Sequence, residues 1–228
     1  MHKIGSQLFI ILSVFLIGII SVAACFLDRR PAQHQNDNRA TASQSDLRLQ
    51  ILIPDAPWVP AFFKFLDEQT KKANLPSLKT IILPNKDDLE IRYWVGTIPH
   101  FIDGIILRRI NNQWSGIHIH GSSEHQDFLL TQKALIMARS GWDEVWKELV
   151  KTGILTLPDA TSLNCNESVI DGTVFVVEIN HNWTYRTYAY GNPQHAKCSE
   201  AKRMLSMAQI LYDEFDLYAP SLQDKKRH

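Results

Sequence analysis

The sequence has no excess of charge of either sign: 24 lysines and arginines stand against 24 aspartates and glutamates in 228 residues. Binding nucleic acid through its phosphates calls for a basic stripe, and attraction to an anionic lipid surface calls for the same. Composition supplies neither, so nucleic acid is not an expected partner. The one basic cluster, Lys225-Lys226-Arg227, falls in a short tail, 221–228. Cysteine is scarce as well. Cys25, Cys165 and Cys198 are the only three, and with no CxxC pair they exclude zinc-finger spacing and a disulfide-dense scaffold. Catalytic signatures are also missing: there is no GxSxG elbow, no HExxH, no P-loop and no Rossmann glycine pattern. These absences point to a non-enzymatic binding or accessory module with no cofactor, rather than an enzyme.

What is present begins at the N-terminus. His2 and Lys3 precede an uncharged run of 20 residues, Leu8 to Leu27, that contains Val22-Ala23-Ala24-Cys25. A positive start, an apolar stretch and then small residues form the secretory pattern. The ending resembles the lipobox of bacterial lipoproteins. That resemblance implies that residues 1–24 are a signal peptide and that Cys25 carries a thioether-linked diacylglycerol. It also implies that the freed amine is acylated in turn, with palmitate the expected chain. The protein is then expected in the bacterial cell envelope, with its domain facing the periplasm or exterior and an envelope protein as a candidate partner. A run of this length can equally span a bilayer as an uncleaved helix, and Arg29 and Arg30 leave its orientation open. Either reading puts the chain at a membrane. Residues 28–47 are polar and cannot bury enough apolar surface to offset ordering, so 25–47 reads as a tether. In an exported protein Cys165 and Cys198 are most simply a disulfide. Closing a loop of that size is worth roughly 3–4 kcal/mol in the chain-entropy model.

Residues 48–220 read as one α+β domain, an antiparallel sheet built from hairpins with about three helices packed on one face. Residues 49–54 suggest a short strand. Val59, Phe62, Phe63, Leu66, Thr70 and Ala73 recur at helical spacing, ended by Asn74 and Pro76. Residues 90–95 alternate as a strand, and 96–103, with Pro99, read as a loop. Strands 104–110 and 113–119 flank Asn111-Asn112, a pair suited to a two-residue turn. Residues 127–138 fit strand or helix. Ser140 is the expected cap of a helix whose stripe is Trp142, Val145, Trp146, Leu149 and Val150, with Gly153 past its end. Asp171-Gly172 opens a second hairpin that is expected to turn at Asn180-His181-Asn182. A last helix from Ser199 buries Ala201, Met204, Leu205, Ala208, Leu211, Tyr212 and Phe215. Gly141-Trp142-Asp143, Asp171-Gly172 and Tyr185-Arg186-Thr187-Tyr188 resemble stretches of bacterial proteins with no assigned activity, so this resemblance implies no function.

Two constellations can carry chemistry. His118 and His120 alternate onto one side of a strand, with His125 in the loop after it. Three imidazoles and an open position suit a zinc ion that activates water, which makes a metal-dependent hydrolase the alternative reading. The competing reading is a packed histidine: the expected register sets His118 beside Leu107 and Trp114. The second constellation is Glu178, Arg186 and Tyr188, expected on one exposed face of the second hairpin. There they form either a polar ligand site or a cross-strand ion pair worth under about 1 kcal/mol.

Overall fold

Asn111 and Asn112 both take left-handed backbone angles, φ +51° and +62°, a region that asparagine tolerates better than most residues. The chain reverses there, and Ile110 pairs with Gln113. A computed structural model describes residues 49–97, 101–124, 127–163 and 172–218. The expected signal and tether, Cys25, His125, Cys165 and the basic tail lie outside these residues. The described residues fall in one compact unit. Four strands follow one another antiparallel: β2 (Leu89–Thr97), β3 (Phe101–Ile110), β4 (Gln113–Glu124) and β5 (Asp127–Ala134). β6 (Val174–His181) and β7 (Thr184–Gly191) pair antiparallel, and β6 joins β2. A short β1 (Gln50–Leu52) lies parallel to β7 at the edge, giving the order β1-β7-β6-β2-β3-β4-β5. The class is α+β. Among the described residues the α-helices are α1 (Trp58–Lys72), α2 (Trp142–Thr152) and α3 (Ser199–Glu214).

The helices do not share one face. Leu89, Ile91, Tyr93 and Val95 point into a core with Val145, Leu149, Met204, Met207, Ala208 and Leu211, from α2 and α3. Trp94, Ile106, Val176 and Tyr185 point the other way, against Phe62, Phe63 and Leu66 of α1. Every residue of β2 from Leu89 to Val95 is therefore buried. Strict alternation in a strand suggests one wet face, but here the alternate residues are Glu90, Arg92 and Trp94, and α1 covers them.

Several local expectations are corrected. Residues 96, 97 and 101–103 belong to β2 and β3 rather than to a loop. The ambiguous 127–138 segment is strand to Ala134. The cap of α2 is Gly141 at φ +94°, not Ser140. Ser140 instead gives its backbone N–H to Glu214 Oε2 at 2.8 Å, fixing the end of α3. Val150 is 40% exposed, because α2 buries only Val145 and Leu149 fully. The β6–β7 turn is Asn182-Trp183, at φ +53° and +54°, not residues 180–182. Asn180 stays in the strand and donates to Ile81 O at 2.6 Å. A one-residue shift of a turn sends every following side chain to the opposite face, and that is what happens to β7.

Under α1 the sheet buries charge. Arg92 Nε donates to Glu90 Oε1 at 2.8 Å, Arg108 Nε to Glu90 Oε2 at 2.7 Å, and Arg92 Nη2 to Pro76 O at 2.9 Å. Glu178 pairs in register with Arg92. Its carboxylate accepts from Trp94 Nε1 and Tyr185 Oη, both at 2.8 Å. Burial raises the Glu178 pKa, while Arg92, Trp94 and Tyr185 pull it back. The stability this proton adds is complete below the ordinary glutamate range and is lost as pH rises through the raised folded value. Gly104 lets this arrangement close: a Cβ there would stand 2.4 Å from the Trp94 ring.

Truncating Glu178→Ala leaves the buried Trp94 and Tyr185 donors without their acceptor and removes the carboxylate across from Arg92, and should cost about 3–5 kcal/mol in urea unfolding. A loss below about 1 kcal/mol would show that the buried charges do not depend on one another. Gly104→Ala should destabilise too, with a red shift of Trp94 emission as the indole is displaced.

Candidate functional site

β3 and β4 bring three ligand-type side chains together on the face covered by α3. Asp103 pairs with His120, and Ile105 with His118. All four residues therefore share a face, since alternate residues along a strand point the same way. Asp103 Oδ1 lies 2.8 Å from His118 Nε2 and 3.2 Å from His120 Nδ1. Its other oxygen, Oδ2, accepts from Tyr212 Oη of α3. The Asp103 side chain is 2% exposed, His118 15% and His120 45%. The trio is thus graded from a buried carboxylate to an imidazole that reaches solvent.

One atom from each of Asp103, His118 and His120 lies within 4.8 Å of the other two. Ligands of a tetrahedral zinc, each about 2.0–2.1 Å from the metal, stand roughly 3.3 Å apart. The two Asp103 contacts are already close to that spacing. Two imidazoles and one carboxylate with a position left over is a donor set for zinc or another divalent transition ion. Tyr212 would hold the carboxylate from behind, as outer partners of metal ligands do. The same atoms also close a network without a metal: both ring N–H groups and the phenol can donate to the carboxylate. Burial comes first in raising the Tyr212 pKa, and the neighbouring Asp103 adds to it. The phenol therefore stays a donor across the physiological range.

The structure places the histidines of the expected trio as follows. His118 and His120 face the same way, His125 lies outside the described residues, and the third group is Asp103. The sequence reading assigned Asp103 to a loop. Carrying the 105–107–109 alternation back by one step would have set it opposite His120.

The other expected constellation does not assemble. Glu178 faces α1, whereas Arg186 pairs with Ile179, and Tyr188 with Val177, on the α2/α3 side. Glu178 and Tyr188 are both buried. Arg186 Nη1 donates to Leu155 O, and Arg186 Nη2 to Leu157 O at 2.6 Å. Tyr188 Oη donates to Ile154 O at 2.9 Å. Burial lowers the Arg186 pKa. These side chains fasten the segment after α2 to β7.

A cleft of about 540 Å³ lies elsewhere, between Pro54, Leu155, Ile179 and Arg186. Its buried carboxylate, Asp159, already accepts from Thr161 N at 3.0 Å and Ala189 N at 2.8 Å. The cleft has volume without converging free polar groups, so the histidine cluster is the stronger site. Ser199 and Lys202 match the SxxK spacing at the start of α3. Both are exposed, and Ser199 Oγ donates to Glu200 Oε2 at 3.0 Å. A solvated lysine is not desolvated into a base, so this pair has no activated nucleophile.

No protein-family model matches the chain, and no curated protein sequence matches it.

Tyr212→Phe should leave Asp103 Oδ2 with one donor fewer and cost about 1–3 kcal/mol of stability. A double-mutant cycle with Asp103→Asn should be clearly non-additive. Additive losses would mean that the two side chains are not coupled.

Proposed function

We propose that this protein is a membrane-anchored lipoprotein of the bacterial envelope whose domain binds a divalent transition metal at Asp103, His118 and His120. The observation that carries the metal reading is the convergence of two imidazole nitrogens on one buried carboxylate oxygen, at 2.8 and 3.2 Å. The envelope reading is supported by the lipobox-like Val22-Ala23-Ala24-Cys25 and the polar tether behind it. No helix among the described residues is long and apolar enough to cross a membrane. A Cys165–Cys198 disulfide belongs to the same proposal. Cys198 sits immediately before α3, half-buried against the α2/α3 core.

A second reading, a metal-dependent hydrolase, is favoured by one feature. The 45% exposure of His120 leaves the cluster reachable from solvent, as an activated metal-bound water would require. Under that reading the protein supplies ligand geometry through β3 and β4, and Tyr212 fixes the carboxylate.

The full chain, extracted in detergent from a bacterial membrane, should carry about one zinc per molecule, measured by elemental analysis. His118→Ala/His120→Ala should carry none and should lose the rise in melting temperature on zinc titration. If wild type neither holds zinc nor is stabilised by it, the metal reading fails. For the anchor, Cys25→Ser should abolish incorporation of labelled palmitate and change the mature mass. Equal masses with no label in either form would refute it.

A further inference from the structure

The strand register identifies which end of the sheet the chain enters. Gln50 pairs with Thr184, Leu89 pairs with both Arg109 and His181, and Ile117 pairs with Ala134. One end therefore gathers the start of β1, the Asn111-Asn112 turn, the Asn182-Trp183 turn and the segment after β5. The segment before β2 is tied to the same end. Trp183 Nε1 donates to Leu83 O at 3.2 Å, and Asn85 Nδ2 to Asn111 Oδ1 at 2.8 Å. Everything N-terminal to residue 50, including the apolar run Leu8 to Leu27, leads into the domain here.

This end also displays apolar side chains. Ile136 is 78% exposed and Met137 74%, consecutive in the segment after β5; Ile82 is 50% exposed and Ile51 53%. These are four of the seven large hydrophobics exposed among the described residues. They do not line one groove. Ile51 and Ile82 lie toward the β1/β7 side, and Ile136 and Met137 at the β5 edge. At about 4.8 Å between neighbouring strands, a seven-stranded sheet is roughly 29 Å across. Separate apolar points spread over that width suit a flat, deformable partner better than a protein pocket. Charges of both signs stand nearby. Lys86 neighbours Asp87, and Arg139 pairs with Asp216 at 2.8 Å.

We propose that this end of the sheet docks on the bilayer that holds the N-terminus, with Ile136 and Met137 reaching into the lipid interface. The proposal rests on the anchoring reading. Docking is driven by apolar contact rather than by attraction to anionic headgroups, so it persists in vesicles of neutral lipid and in high salt. It turns the histidine cluster away from the lipid: Asp103 pairs with Val95, six residues along β2 from Leu89.

The test uses the full chain in phosphatidylcholine vesicles. Met137→Cys carries an environment-sensitive fluorophore, and His195→Cys, an exposed position just past the opposite end of β7, carries the same label as control. A lipid-attached nitroxide should quench the label at 137 at least threefold more than the label at 195, with a blue-shifted emission and no change in 0.5 M salt. Equal, weak quenching at both positions in a chain that floats with the vesicles overturns the docking and leaves the anchor standing. A chain that does not float overturns both. Quenching at 137 that disappears in salt overturns the apolar mode proposed here.

Discussion

Arg92 lies fully buried in the central strand, where water cannot solvate its guanidinium. Its charge has to be answered from within the protein, by Glu90 on its own strand and by Glu178 directly across on β6. Those carboxylates then need donors of their own, which Trp94, Tyr185 and Arg108 provide. A charge network of this kind is worth little as net stability, because desolvation offsets the attraction. It does penalise alternatives. Slipping β2 against β6 by one residue would set a buried arginine against apolar neighbours and send Leu89, Ile91 and Tyr93 toward α1. The network and the apolar stripe specify the same register, and β3 and β4 inherit it. The meeting of Asp103 with His118 and His120 thus follows from a pairing fixed on the opposite face of the sheet.

Much of this architecture was legible in local pattern. Alternation at 90–95, 104–110 and 113–119 marked three strands, and Asn111-Asn112 specified the register of the last two. The helix stripes located α1, α2 and α3 within a residue or two. What stayed hidden was set by tertiary context. Glu90, Arg92 and Glu178 read as residues of a wet face, because a sequence window cannot show that another helix covers them. The β6–β7 turn was misplaced by one residue because Asn180 carries the side chain of a turn residue. Its amide is used instead to hold the 78–81 segment. A tryptophan at φ +54° is an unusual turn residue, and nothing near it announced Trp183.

The candidate site shows the same split. His118 and His120 were visible as a pair because a strand repeats every second residue. Asp103 was obscured by Pro99 and Gly96, which suggested a loop where two strands continue. Tyr212 was expected in the core on helical spacing, and it is buried there. That its hydroxyl reaches Asp103 depends on how α3 crosses the sheet, which no local pattern reports. The pairing of β1 with β7 was equally out of reach, since it joins residues far apart in the chain and runs parallel within an otherwise antiparallel sheet.

That parallel edge also bears on how the molecule is made. A chain appears N-terminus first, so Gln50–Leu52 emerges early while its partner, Thr184–Arg186, emerges near the end. Contacts of such long sequence separation form late and slowly. Until then Ile51 and Leu52 have no strand beside them, and α1 must wait for Tyr185 and Ala189 of β7 to complete the core beneath it. The first structured segment of the domain is thus among the last to settle. During synthesis it is the segment most in need of shielding by a chaperone, and truncation of the C-terminal third would leave it exposed for good.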